Sequence, residues 1–535
     1  MRQDILCTGK DKGIFAGVKP RLGSHPKCKI DFFLTQFCQR PKQNHPPREV
    51  VTSLKSNIER KLSCSSTGLL YPQDMGATVS SSQHLCKQCS KWSLQKAFTA
   101  SASSYDDALR DPENQNIVNG RRVHLRAFQK KNCPFCKYVV QLCSMDPEYA
   151  KSTDCVVGLR VSNYGKYSPN KMTHESDCKY IRRLLISAEF TVFVENNYCS
   201  RFRDYTIQIC DNTALCGRII NGDIDMSIIR EWLRLCETHG KCSVQSTRGD
   251  MRVIDVIEER VCYAAEPDYA ALSYTWGPPN ITQLKLTKET QRSLFSPDGI
   301  MEAPKTIRDA VKVCKGLGIR YLWVDALCIF QDGTNLNEIN NMNKIYAGAH
   351  ITIVCASGED SWAGLPGVNP GTRKVNREVH IIDNLPLSTV EPSFRQAMEG
   401  TVWSTRGWTF QESVLSPRLL LFTDSQVFYQ CKTELWYEDT VLETAHQEFL
   451  ELYFIDWGNP LERLSLDECS SLYEYTRLVE QYTRRHFTYQ SDIVRAFSGI
   501  LEPLQNFKYR ILRLSARTIL RLRFGLRSLL PRRAA

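Results

Sequence analysis

The feature that most constrains this fold is a run of alternating strand and helix patterns between residues 269 and 357. "YAALSYTWGPP" puts Leu272, Tyr274 and Trp276 on one face of an extended segment and Ser273 and Thr275 on the other. Gly277-Pro278-Pro279 ends it. "PKTIRDAVKVCKGLGI" repeats its apolar residues at helical spacing through Ile307, Ala310, Val311, Cys314 and Leu317. Pro304 suits its first turn and Gly318 its stop. The strand pattern "RYLWVDALCI" follows, then the helix pattern "INNMNKIYAGA" and the strand pattern "HITIVCAS". Helices and strands that alternate across short joins predict an α/β unit with a parallel sheet.

One residue breaks the pattern. Asp325 stands in an otherwise apolar stretch, "YLWVDALCIF". A lone carboxylate in a core costs several kcal/mol unless it is paired or hydrogen-bonded. It is expected either to mark the carboxyl end of a strand, where open α/β sheets form their clefts, or to accept backbone amides and pair with Arg406 or Arg308.

The rest of the chain divides by composition. Residues 1–80 are rich in Lys, Ser, Pro and Gln without a sustained period, and are expected to be disordered or loosely structured. Residues 81–150 hold two CxxC pairs, Cys86/Cys89 and Cys133/Cys136. Such turns set two thiolates on one side of a tight loop, and the four together suit one structural zinc. Residues 151–249 read as β-rich and end in the helix "DIDMSIIREWLRLCETHGKC", with Ile228, Ile229, Trp232, Leu233 and Cys236 on one face. Its Cys236, His239 and Cys242 make a C-x2-H-x2-C cluster. With three ligands only, it reads more simply as a packed helix end than as a metal site. Residues 250–435 carry the α/β pattern, 436–505 a helical extension, and 506–535 a basic Arg/Leu-rich tail.

The 22 cysteines, without a secretion signal, read as reduced thiols or metal ligands. Cys314, Cys328 and Cys355 fall on apolar faces and read as core. The net charge of +11 is concentrated: Lys508 and eight arginines from Arg510 to Arg533 supply nine of those charges. The body is therefore nearly neutral, and nucleic-acid binding is not expected. The tail offers membrane-surface contact through Arg510, Arg513, Arg517 and Arg521 at helical spacing. No run is long and apolar enough for a transmembrane helix, and a cytoplasmic location is expected.

Three blocks in order resemble the heterokaryon incompatibility (HET) domain family of filamentous fungi: "YAALSYTWG" (269–277), "PKTIRDAVKVCKGLGIRYLWVDALCIFQD" (304–332) and "RGWTFQE" (406–412). "MNKIYAGAHITIVCASG" joins the second to the third. "WLRLCETHGKC" with "RVIDV" is similar to the usual lead-in, and "YTRRHFTYQSDIVRAFSGI" to the usual downstream segment. The resemblance implies a role in nonself recognition between fused cells and in programmed cell death. The domain has been likened to TIR domains, which implies a TIR-like, flavodoxin-like parallel-sheet core. That core would carry α+β accessory regions and an N-terminal zinc knuckle. Some TIR domains cleave NAD, so NAD is the implied substrate.

For that chemistry Asp325 and Glu412 are the catalytic candidates, because a carboxylate stabilises an oxocarbenium-like state. Ser273, Tyr274, Trp276, Arg406 and Trp408 are the nucleotide-binding candidates. There is no G-x-G-x-x-G and no P-loop. The other expectation is a signalling module that acts without chemistry, through protein partners or self-association.

Overall fold

The computed structural model describes residues 85–101, 123–129, 131–161, 183–194, 197–213, 216–333, 338–443 and 472–501, with short gaps at 241, 243, 245–248, 340, 374–377 and 433. The expectations for residues 1–80 and 506–535 lie outside the described residues.

Two sheets organise the fold. The first is antiparallel and six-stranded. It consists of β1 (Val123–His124), β2 (Ser152–Val161), β3 (Arg183–Val194) and β4 (Asn197–Ile209), in that order, continued by a hairpin from much later in the chain. That hairpin is β10 (His380–Ile382) and β11 (Leu385–Thr389), with β11 paired to β4. Helices α1 (Leu94–Ser101) and α2 (Pro134–Ser144) share its core, around Trp92, Phe128, Phe135, Val157, Ile186 and Phe190.

The second sheet has eight strands. In chain order they are β5 (Asp250–Asp255), β6 (Arg260–Ala265), β7 (Tyr269–Ser273), β8 (Tyr321–Trp323), β9 (Ile351–Cys355), β12 (Arg418–Phe422), β13 (Val427–Cys431) and β14 (Leu435–Tyr437). Their spatial order is β14-β13-β12-β9-β7-β8-β5-β6. The four central strands, β12, β9, β7 and β8, run parallel. Both edges are antiparallel pairs, so the sheet is mixed rather than parallel throughout. β7, β9, β12 and β13 are buried at every residue, which is why they read as continuous apolar runs.

Helices complete the α/β layers. α3 (Met226–Thr238) packs against α4 (Lys305–Leu317). α5 (Met342–Gly348), α6 (Gly407–Leu415) and α8 (Gln490–Leu501) pack together, and α7 (Leu472–Thr483) precedes α8. The α4 stripe is buried from Ile307 to Cys314 as its spacing predicts, Leu317 is half-buried at its end, and Gly318 stops the helix in the left-handed conformation at φ 77°. "RLLLF" and "VFYQC" form the expected hairpin across Asp424-Ser425.

The expected strand "RYLWVDALCI" is only three residues long. After Trp323 the chain turns into one helical turn, Asp325–Cys328. The cause is local. The Asp325 Oδ1 accepts the Ala326 amide at 2.7 Å, and the Cys328 amide returns to the Val324 carbonyl at 2.7 Å. A carboxylate that bonds its own following amide favours a helix start over strand pairing.

A buried ion pair ties the second sheet to its lead-in. Arg373 donates to both Glu438 oxygens at 2.6 and 2.9 Å and to the Asn221 carbonyl at 2.6 Å. Arg373→Ala would leave Glu438 charged in the interior, a loss of about 3–5 kcal/mol. A large drop in the chemical unfolding midpoint is the expected result.

Candidate functional site

The period-2 geometry of β7 decides what meets its end. Tyr269 and Ser273 project to the side of α5 and α6. The Tyr269 hydroxyl donates to the Ile345 carbonyl at 2.6 Å, and the Ser273 hydroxyl donates to Glu412 Oε2. The Trp403 indole N–H donates to the Ser273 oxygen at 2.7 Å. Glu412 is 7% exposed, Ser273 1% and Trp403 0%. Burial pushes the Glu412 carboxyl up to about 7; the Ser273 hydrogen bond opposes the rise and the charge of Asp325 adds to it.

Asp325 follows β8, beside β7. Its Oδ2 accepts the Trp276 indole N–H at 3.0 Å. Burial pushes its carboxyl up to about 6, held back by the Ala326 amide, Trp276 and the charge of Arg406. As a residue it is half-buried rather than sealed. Arg308 is exposed and is not its partner. Tyr274 is buried next to this carboxylate. Trp276 is half-buried, with the Lys285 ammonium 5.2 Å from its ring centroid.

The fold therefore brings Ser273, Tyr274, Trp276, Asp325 and Glu412 to the carboxyl ends of β7 and β8, within the field of Arg406. Trp408 is placed differently: its indole N–H reaches Asp492 on α8 at 3.2 Å. Trp403, Tyr346 and Arg485 belong to the surroundings and were not singled out from sequence. Tyr346 lies against Glu412, and its hydroxyl reaches the Leu272 carbonyl at 3.1 Å. Arg485 donates to the Arg406 carbonyl at 3.1 Å and lies 5.0 Å from the Phe410 ring centroid. Trp403 stands three residues before the "RGWTFQE" block, so only its proximity in sequence could have pointed to it.

Two glycines of the recognisable blocks have steric reasons. Gly277 adopts φ 91°, and an added Cβ would come within 2.6 Å of the Asp360 Cβ. At Gly407 an added Cβ would fall 1.9 Å from the Phe487 ring. Gly407→Ala must push this ring away and separate the RGWTFQE helix from the downstream segment. The expected loss is about 1–3 kcal/mol, read as a lower thermal unfolding midpoint. An unchanged midpoint would contradict this packing.

Two clusters of thiols can each hold a metal ion: Cys86, Cys89, Cys133 and Cys136, and Cys236, His239, Cys242 and Cys431. In the first, the Cys89 and Cys136 sulfurs lie 3.3 Å apart and the Cys86 and Cys136 sulfurs 3.7 Å apart. Those distances are too long for a disulfide. They suit a tetrahedral ion with metal–sulfur bonds of about 2.3 Å. Cys133 caps α2, and Pro134 starts it. The second cluster corrects the three-ligand reading: Cys431, at the end of β13 and 192 residues after His239, is the fourth member.

An open cleft lined by Asn212, Arg218, Asn221, Asp223 and Glu438 lies away from the acid pair. Among the described residues no helix is long and apolar enough to cross a membrane.

Residues 269–412 match the family model described as Heterokaryon incompatibility protein (HET). No curated protein and no solved structure matches the chain. The matched stretch contains β7, α4, β8, α5, β9 and the acid-bearing part of α6, which are the elements that build the site. The chain carries a heterokaryon incompatibility (HET) domain.

Proposed function

We propose that the HET domain is a cell-death effector of nonself recognition in the fungal cytoplasm and that it hydrolyses the nicotinamide glycosidic bond of NAD or a related nucleotide. The observation that carries this reading is the meeting of two carboxyls, both held above their ordinary pKa, at the carboxyl ends of neighbouring parallel strands. Perturbed acids in such a position are functional-site candidates. The four parallel strands, taken in chain order, lie in the order 2-1-3-4. This agrees with the flavodoxin-like order and supports the TIR-like reading.

The roles follow from accessibility. Asp325 is the more accessible acid, and near neutral pH it is mostly ionised. Its negative charge stabilises the ribosyl oxocarbenium character that develops as the C–N bond breaks. Nicotinamide leaves as a neutral molecule with the bonding electron pair. Water adds to the ribosyl carbon and gives up one proton, giving ADP-ribose. Glu412 fixes Ser273 and Trp403 behind this position. Trp276 offers a ring face once Lys285 moves aside, and Arg406 a charge for phosphate. Zinc on Cys86, Cys89, Cys133 and Cys136 is structural and takes no part in the reaction.

The test is purified full-length chain incubated with NAD, with nicotinamide and ADP-ribose measured by chromatography. The rate is expected to rise with pH through about 6, as Asp325 loses its proton. A rate that falls across that range contradicts Asp325 as the acting carboxylate.

One observation favours a second reading. Glu412 is enclosed and hydrogen-bonded, and the open cleft lies elsewhere. On that reading the acids fix the fold, and killing proceeds by partner recruitment or self-association. Toxicity would then survive Asp325→Asn and would track oligomer size in light scattering.

A further inference from the structure

We infer that Cys236, His239, Cys242 and Cys431 form a second structural metal site, for zinc or another tetrahedral divalent ion, that fastens the lead-in helix to β13 of the sheet. All four ligand atoms lie within 4.8 Å of one another. The His239 Nε2 is 3.5 Å from the Cys431 sulfur and 4.0 Å from that of Cys242. Bonds of about 2.3 Å to sulfur and about 2.0–2.1 Å to nitrogen place tetrahedral ligands at such separations. Three thiolates and one imidazole are a closed structural set, with no position left open.

The chain is shaped to converge there. Cys236 and His239 lie one turn apart at the end of α3. Gly240, at φ 66°, lets the backbone reverse, and Cys242 returns to the same point. Cys431 arrives from β13. Cys236, Cys242 and Cys431 are 1%, 4% and 0% exposed.

Arg418 supplies an independent reason. It is 5% exposed. Its Nε donates to the Cys236 sulfur at 3.2 Å, its Nη1 to the His350 carbonyl at 3.0 Å and its Nη2 to the Cys242 carbonyl at 3.1 Å. Among the described residues no carboxylate touches it, and the charge of Asp268 acts on it only from a distance. With three neutral thiols beside it, the guanidinium would be a buried charge with no counterion in contact, which proteins avoid. A divalent ion with three thiolates and a neutral histidine carries a net charge of −1, which Arg418 balances. The Lys432 amide also donates to the Cys242 sulfur, at 3.4 Å. Such outer hydrogen bonds are typical supports of metal ligands.

The consequence is mechanical. Every ligand lies outside residues 269–412, on α3, the turn after it and the β12–β13 hairpin. The ion would therefore clip the lead-in and the hairpin together around the matched segment.

The experiment is elemental analysis of purified full-length chain, kept reduced, beside Cys431→Ser and a Cys86→Ser/Cys89→Ser double variant. Cys431→Ser is expected to lose one zinc equivalent relative to the parent, and the double variant to lose a different one. An unchanged zinc content in Cys431→Ser would overturn the inference, whatever the first cluster holds. Should Cys431→Ser fail to fold, His239→Cys supplies the answer. Loaded with cobalt, it is expected to keep the ion and shift the absorption from mixed sulfur–nitrogen to all-sulfur character. An unshifted cobalt spectrum would also overturn the inference.

Discussion

Asp325→Asn is expected to abolish NAD hydrolysis, with a rate loss of about 10²–10⁴-fold, and to restore viability in cells that express the chain. The substitution removes the charge and little else. Asn keeps the size of the side chain and one acceptor for the Ala326 amide and the Trp276 indole, which Asp325 now satisfies with separate oxygens. One of these donors loses its acceptor, at about 1–3 kcal/mol. Relief of burying a carboxylate above pH 6 works in the opposite direction. The variant is therefore expected to unfold near the wild-type midpoint, which must be shown alongside the activity. Full hydrolysis by a folded Asp325→Asn protein would remove Asp325 from the reaction.

Glu412→Gln is expected to change the pH dependence of stability more than any other single substitution at the site. The Glu412 carboxyl is raised from 4.5 to about 7 in the folded chain. A raised folded pKa means that the native state favours the protonated form. The stability it contributes is fully present below about pH 4.5 and is lost as pH rises through about 7. A shift of that size corresponds to about 3 kcal/mol. Gln cannot ionise, and its oxygen can still accept from Ser273. Urea midpoints of wild type and variant should lie close together at pH 5 and separate by pH 8, with the variant higher. Parallel curves across that range would show that Glu412 is charged in the folded protein at all these pH values.

Much of the central architecture was legible because its signals are local. The β7 alternation, the α4 stripe with its glycine stop, and the Asp424-Ser425 hairpin depend on residues close together in the chain. Asp325 and Glu412 were singled out in sequence from separate blocks, and the fold sets the charge of Asp325 close enough to act on Glu412. What sequence could not show is long-range partnership. Nothing near Cys236, His239 and Cys242 points to Cys431, which reaches them only because β13 packs beside α3. The β10–β11 hairpin reads as part of the α/β region, yet it pairs with β4 of the other sheet. Trp408 looked like a member of the rim by its place in "RGWTFQE". It lies one turn from Glu412 on α6, but its indole N–H is taken up by Asp492 on α8. The shortened β8 had a local signal that apolar pattern alone obscures: the carboxylate at 325 starts a helical turn.

The central claim, that this HET domain kills by consuming a nucleotide, is tested most directly by inducible expression in a fungal host with NAD and viability followed together. Wild-type chain is expected to deplete NAD before viability falls, and Asp325→Asn at equal abundance is expected to do neither. Complete loss of viability with NAD unchanged would contradict the account.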